Sequence, residues 1–348
     1  MPETTAKNEA LNVALQQVAE KIRKAETVMI ATHTHPDGDC LGSGLALRLA
    51  LRKMGKKVHV VNRDEVPGNL TFLPGKDTIL HPGEVNTPYD LLVFVDCADR
   101  NRVVDMNSPS ERELFEHLWQ LSDEQVQMDH HGTNPGYCTV NAVDAQASAA
   151  AVLVWKLLPL LPVELDRDIA ICLYAALLTD TGNFAQDNVN ADSFSMMADL
   201  MGADLPLVSI CRTAFQEKGR KQVSMMRRAL NSLRFSADGC VNMMTLSAQD
   251  FAEENAGSQD VDMVVEMGRD IEGVHMAMLA TEREEGIKIS FRSIAPWRVD
   301  TVAAMFGGGG HRQAAGATVT GKTLSEAAEQ VFESLMATHA EQKSALGL

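Results

Sequence analysis

Between Leu11 and about Leu200 the chain alternates short apolar runs with longer stretches whose apolar positions recur every three and four residues. Residues 28–31, 58–61, 91–95 and 126–128 are almost wholly apolar instead of alternately polar, the pattern of strands covered on both faces of a parallel sheet. Residues 41–54, closed by Gly55, predict a helix, as do 147–158, 167–178 and 191–201, the last ending near Gly202. Strand and helix in alternation predict an α/β first domain: a mostly parallel sheet flanked by helices.

The pattern changes after Phe235. Runs 233–235 and 241–246 flank Ala237-Asp238-Gly239, and runs 274–281 and 287–293 flank an acidic turn ending in Gly286; both pairs predict hairpins or close strand neighbours. With helices predicted over 261–267 and 325–338, this is a smaller α+β unit. The expected organisation is a first domain over 1–204, a helical linker over 205–232 and a second domain over 233–348. Residues 205–234 carry Arg212, Lys218, Arg220, Lys221, Arg227, Arg228 and Arg234 against only Glu217. Such a run is either a solvated face or a surface for an anionic substrate.

A chain of 348 residues has mass for two cores, and 45% hydrophobic with 22% charged residues excludes wholesale disorder. Lys+Arg 31 against Asp+Glu 47 gives a net charge of −16, which argues against a whole-surface grip on duplex DNA or an anionic membrane. No export signal or membrane span is visible, so a cytoplasmic protein is expected. The six cysteines show no C-x-x-C spacing and read as small buried hydrophobes in a reducing compartment.

The chemistry is concentrated where apolar runs end. His33-Thr34-His35-Pro36-Asp37-Gly38-Asp39 follows the first strong strand, and ligands of open parallel sheets bind beyond the carboxyl ends of their strands. Asp96 ends the run 91–95, Asp129-His130-His131 ends 126–128, and Asp180 ends the run 169–178. Four separate elements thus deliver carboxylates or imidazoles after long apolar stretches, where burial penalises uncompensated charge. Taken singly, Asp96 also reads as a helix cap and His130 as a core histidine, but their recurrence favours a cation. The set is too rich in oxygen for structural zinc and suits two divalent ions sharing a carboxylate, with manganese fitting mixed oxygen and nitrogen donors better than magnesium. His35 and Asp99 are weaker members.

These motifs resemble those of the DHH phosphoesterase family, named for the triplet at Asp129-His130-His131. The resemblance runs over nearly the whole chain through His33-x-x-Pro36-Asp37-x-Asp39, Val95-Asp96-Cys97-Ala98-Asp99, the triplet, and Leu178-Thr179-Asp180-Thr181-Gly182. It implies that His33 and Asp37 hold one metal, that Asp39, His130 and Asp180 hold the other, and that Asp96 bridges them. It implies Mn2+ as the ion, with Mg2+ or Co2+ as substitutes. Two close cations make a bridging water acidic and neutralise the oxygens of a phosphate under in-line attack. His131 would then face the phosphate or protonate the leaving oxygen.

A second informative run is Gly307-Gly308-Gly309-Gly310-His311-Arg312-Gln313-Ala314-Ala315-Gly316. It is neither a P-loop nor a dinucleotide fingerprint, since it lacks G-K-[ST] and does not follow a strand as G-x-G-x-x-G. It resembles the glycine-histidine signature of the DHH-associated C-terminal domain. That resemblance implies that Gly308, Gly309, Gly310 and His311 lie against the substrate and that Arg292 pairs with phosphate as a bidentate donor. Together the two domains resemble the nanoRNase and 3′-phosphoadenosine 5′-phosphate (pAp) phosphatase branch. The implied substrates are short single-stranded RNA or a small nucleotide, with no duplex DNA and no membrane as partner; a homodimer through the first domain is the implied association. Alternatives are a cyclic or linear di-AMP phosphodiesterase, an inorganic pyrophosphatase or exopolyphosphatase, a RecJ-type exonuclease, and a nucleotide sensor without activity.

Overall fold

The computed structural model of the chain describes residues 2–106, 108–261 and 263–347, with side chains from residue 9 onward. The chain divides into two compact units, and the division falls between Glu217 and Lys218.

The first unit opens with helix α1 (Pro2–Lys24), whose Leu11, Leu15, Val18, Ala19 and Ile22 form one buried stripe at helical spacing. Strand β1 (Thr27–Ala31), helix α2 (Gly38–Lys53), strands β2 (Lys57–Val61), β3 (Ile79–Leu80) and β4 (Leu91–Val95), helix α3 (Pro109–Gln120) and strands β5 (Gln125–Asp129) and β6 (Val140–Val143) follow. Helices α4 (Ala150–Leu157), α5 (Arg167–Asp180), α6 (Ala191–Met201) and the short α7 (Leu207–Cys211) complete it. The six strands lie in the order β3-β2-β1-β4-β5-β6, all parallel. One face packs against α1, α2, α4 and α5, and the other buries Phe94, Phe115 and Leu118 under α3.

Strand order reverses between β1 and β4. At such a switch point neighbouring loops leave the sheet in opposite directions and open a crevice beyond the carboxyl ends of the two strands. Helix α2 lies close against α5 because a Cβ at Gly42 would strike the Cys172 carbonyl, and one at Gly38 would strike the Thr179 side chain. That approach brings the end of α5 to the start of α2.

The second unit contains α8 (Arg220–Asn231), β7 (Arg234–Phe235), β8 (Val241–Leu246), α9 (Ala248–Glu254), α10 (Val264–Arg269), β9 (Met276–Arg283), β10 (Gly286–Ser293), α11 (Asp300–Met305), β11 (Gly309–Gly310), β12 (Ala314–Val319) and α12 (Leu324–Leu346). Its sheet runs β11-β12-β10-β9-β8-β7, antiparallel except for the β8/β9 pair. Met276, Met278, Ile289 and Phe291 pack on one face with α11 and α12, while Met244, Leu246, Ala277 and Leu279 pack on the other with α8, α9 and α10. Residues 205–232, read from the pattern as a linker, fall on both sides of the division: Ile210 packs into the first core and Met225 and Ala229 into the second. The basic run is largely answered by acid: Arg228 pairs with Asp250, Glu253 and Glu254, Arg212 with Glu217 and Arg234 with Glu329.

Candidate metal centre

Each element of the first unit that ends at the crevice places one or two donors there. After β1 the backbone is held by Asn62, whose side-chain amide donates to the Thr32 hydroxyl at 2.8 Å and to the His33 carbonyl at 2.9 Å. His33 Nδ1 donates to the Thr34 carbonyl at 2.8 Å, which leaves Nε2 facing Asp96 Oδ2 at 3.3 Å and Asp37 Oδ2 at 3.8 Å. Asp37 is the N-cap of α2, accepting from the Cys40 N–H through one oxygen and presenting the other to His33. Asp39, in the first turn of α2, is fully buried and accepts from Ser43 Oγ at 2.8 Å and from the Ala151 N–H at 3.0 Å, at the start of α4.

Asp96 follows β4 with φ of 54°, the left-handed conformation that Asp and Asn tolerate better than most residues. Its N–H donates to the Met128 carbonyl, tying it to the neighbouring strand end. From that strand end, His130 Nδ1 donates to the Ala147 carbonyl at 3.3 Å and directs Nε2 at Asp96 Oδ1, Asp180 Oδ2 and Asp39 Oδ2, at 3.4, 3.6 and 3.7 Å. In both histidines a backbone acceptor fixes the ring and turns the other nitrogen inward, as in metal-ligating imidazoles.

Two groups of donor atoms result, His33/Asp37/Asp96 and Asp39/His130/Asp180, each with ligand atoms within 4.8 Å of one another. Asp96 serves both: Oδ2 turns to His33 and Oδ1 to His130, and Oδ1 is buried without a hydrogen bond. A third grouping joins Asp96, His130 and His131. The structure thus assembles all six residues that the motifs single out as ligands. His131 lies beside them, its Nδ1 donating to the buried carboxylate of Asp129 at 2.8 Å and standing 3.6 Å from Asp96 Oδ1.

The electrostatics are those of a site built for cations. Burial, reinforced by Asp96 and Asp180, raises the Asp39 carboxyl well above the usual range. Burial opposes ionisation of Asp96 too, but His130 and His33 beside it win and lower its pKa. The imidazoles show the reciprocal effect: despite burial, His33 is raised to about 12 by Cys40, Asp96 and Asp37, and His130 to about 10 by Asp96, Asp39 and Asp180. Without an ion, protons on the histidines compensate the carboxylates. Divalent cations compensate them with more charge in the same place, so the donor set and its orphaned Asp96 oxygen fit a metal pair.

Asp180 shows the same effect as Asp39. It ends α5, where the helix dipole already disfavours negative charge. Burial first, then Asp96 and Asp37, push it up to about 6 from 3.8, against the pull of His130. A raised folded-state pKa binds more protons folded than unfolded between those values, so stability is present at low pH and lost as pH rises through about 6. In chelated protein, Asp180→Asn therefore raises the melting temperature at pH 8 and loses that advantage at pH 4. Thermal unfolding at the two pH values checks this; a variant less stable than the parent at pH 8 contradicts it.

The weaker candidates lie aside. His35 is exposed, with its N–H donating to Asp64 Oδ2, and Asp99 caps a short turn through the Asn101 N–H. Neither joins a donor group among the described residues. The motif reading gave Asp129 no role of its own and passed over Asn134 and Asn188. Asp129 aligns His131 and also accepts from Asn134, while Asn188 donates to the Asp180 and Ser148 carbonyls. Only Asp129, charged at a buried strand end, carried a sequence signal.

In the second unit, Arg292 on β10 donates through Nε to Glu266 Oε1 at 2.8 Å. Gly309 and Gly310 pair with Gly316 and Ala315 as an edge strand, so the glycine run is ordered by sheet hydrogen bonds and not a loose turn. A Cβ at Gly310 would meet the Ala314 carbonyl at 2.6 Å, which explains why glycine stands there. Gly309, Gly310 and His311 are exposed and Gly308 is half-buried.

Comparison with known proteins places these features. Residues 27–177 match the DHH family, N-terminal domain, and residues 240–338 match the DHHA1 domain. A protein of Thermus thermophilus named bifunctional oligoribonuclease and PAP phosphatase is 33% identical over 322 residues, 92% of this chain and 93% of that protein. One of the same name from Bacillus subtilis is 23% identical, covering 84% of this chain and 90% of its own. Among solved structures, an exopolyphosphatase-related protein from Bacteroides fragilis shares the fold with a TM-score of 0.86 at 22% identity, covering 97% of this chain and 98% of that one.

Proposed function

This chain belongs to the DHH family of metal-dependent phosphoesterases, and on that footing we propose that it hydrolyses short oligoribonucleotides and pAp. Two observations support the reading: Asp96 presents one oxygen to each of two donor groups, and the similar proteins of T. thermophilus and B. subtilis carry both activities in their names. We assign His33 and Asp37 to one ion and Asp39, His130 and Asp180 to the other, with Asp96 shared; the mixed oxygen and nitrogen donors favour Mn2+. Such ions supply a water of lowered pKa and neutralise the charge that gathers on phosphorus oxygens.

The remaining work falls to the chain. Asp129 takes the Nδ1 proton of His131 in a hydrogen bond, which fixes the ring and leaves Nε2 to donate to a phosphate oxygen or to the departing hydroxyl. In the second unit we assign Arg292, Gly308, Gly309, Gly310 and His311 to substrate binding: glycine backbone that a ligand can approach closely, an imidazole and a guanidinium suit ribose and phosphate. A short, single-stranded or mononucleotide substrate fits the net charge of −16, which repels long polyanions away from local sites.

A panel of pAp, a ribonucleotide dimer, cyclic and linear di-AMP, and pyrophosphate, each with Mn2+, tests the reading. The expected result is kcat/KM for pAp and the ribonucleotide dimer about 10²-fold above pyrophosphate and cyclic di-AMP, or about 2.7 kcal/mol of discrimination. Preference for pyrophosphate or for the cyclic dinucleotide would overturn it.

A further inference from the structure

The second unit gathers another set of donors that phosphoester hydrolysis does not use. Cys240 stands just before β8, His275 just before β9, and His339 within α12. Far apart in sequence, they bring a thiol and two ring nitrogens within 4.8 Å of one another. The backbone holds two of them together, since the Cys240 carbonyl accepts from the N–H groups of His275 at 2.7 Å and Met276 at 3.3 Å. His275 Nδ1 lies 2.9 Å from His339 Nε2.

Packing fixes both rings. Trp297, buried, stacks on His275 with centroids 4.5 Å apart and planes 13° apart, and its centroid lies 4.4 Å from that of His339. Neither ring nitrogen of the facing pair meets a carboxylate; each meets the other. Burial and the neighbouring His275 hold His339 below the usual histidine range. Asp238, whose Oδ1 accepts from Ser236 Oγ and the Cys240 N–H, adds negative charge on the adjoining turn.

We propose that Cys240, His275 and His339 form a binding site for a single zinc ion, separate from the phosphoester centre. One sulfur and two imidazole nitrogens suit tetrahedral Zn2+ or Co2+, with water in the fourth position, and suit oxygen-seeking Mn2+ or Mg2+ poorly. On binding, the Cys240 thiol gives its proton to solvent and the thiolate takes its place on the metal, so uptake releases one proton. The ion would tie the turn before β8, the start of β9 and α12 together, and so stabilise the second unit by mass action on the folded state.

Chelated full-length protein titrated with Co2+ alone provides the test. The donors of the phosphoester centre are carboxylates and imidazoles, so a thiolate-to-cobalt charge-transfer band reports a sulfur ligand. The expected band saturates by three equivalents per chain, two being taken by the phosphoester centre, disappears in Cys240→Ser and persists in Cys40→Ser, the control for the thiol beside His33. Independently of any variant, Zn2+ slows iodoacetamide alkylation of Cys240 in the native protein by about tenfold or more, read by peptide mass spectrometry. Absence of the band, its survival in a folded Cys240→Ser protein, or unchanged alkylation with Zn2+ would each overturn the site.

Discussion

Asp96→Asn lowers kcat/KM toward pAp and short RNA by about 10³-fold, a loss of about 4 kcal/mol in transition-state stabilisation. The reason is the double duty of one side chain: Oδ2 faces the His33 group and Oδ1 the His130 group, so a single substitution weakens both. Asparagine has nearly the same volume and tolerates the left-handed φ of 54°, so the backbone after β4 stays in place. What it removes is the charge. Without it, the carboxylate that holds up the proton affinities of His33 and His130 is gone, and the cation affinity of each group falls with it. Steady-state kinetics together with bound manganese per chain check the prediction. A loss below tenfold with metal content intact would mean that Asp96 is not shared.

His131→Ala lowers kcat by roughly 10²–10³-fold while both ions stay bound, because the His131 nitrogen nearest Asp96, Nδ1 at 3.6 Å, is already held by the Asp129 carboxylate at 2.8 Å. Leaving-group chemistry separates its two candidate roles. If His131 protonates the departing hydroxyl, a p-nitrophenyl phosphodiester, whose leaving group needs no proton, loses much less activity than a ribonucleotide dimer. If His131 binds the phosphate, both substrates suffer alike and KM rises. Unchanged kcat on the ribonucleotide dimer with metal intact would remove His131 from the reaction. Asp129 is the positioning partner here: its carboxylate fixes His131 Nδ1 at 2.8 Å.

The sheet of the first unit was legible because strands β1, β2 and β4 are apolar almost throughout, the usual pattern of strands buried on both faces. The short edge strands β3 and β6 were not, since two to four residues carry no period. Helix α3 escaped for a related reason: only Phe115 and Leu118 of its twelve residues are buried, too few to mark a face. Strand β11 consists of two glycines, so its pairing is a backbone property on which side-chain pattern is silent.

The six donors were legible because charge at the end of a buried run is costly and therefore conspicuous. Asn188 was not, because a neutral amide acts through tertiary contacts that no local pattern announces. The same holds for Cys240, His275 and His339, which lack any metal-motif spacing and converge only through the β8/β9 pairing and the packing of α12.

Crystals grown with Mn2+ and measured at the manganese absorption edge decide the matter most directly. Two anomalous peaks are expected in the crevice at the β1/β4 switch point, one among His33, Asp37 and Asp96 and the other among Asp39, His130 and Asp180, with an Asp96 oxygen on each. A single peak, or none there while the crystallised protein still hydrolyses pAp, would show that the carboxylates converge for another purpose.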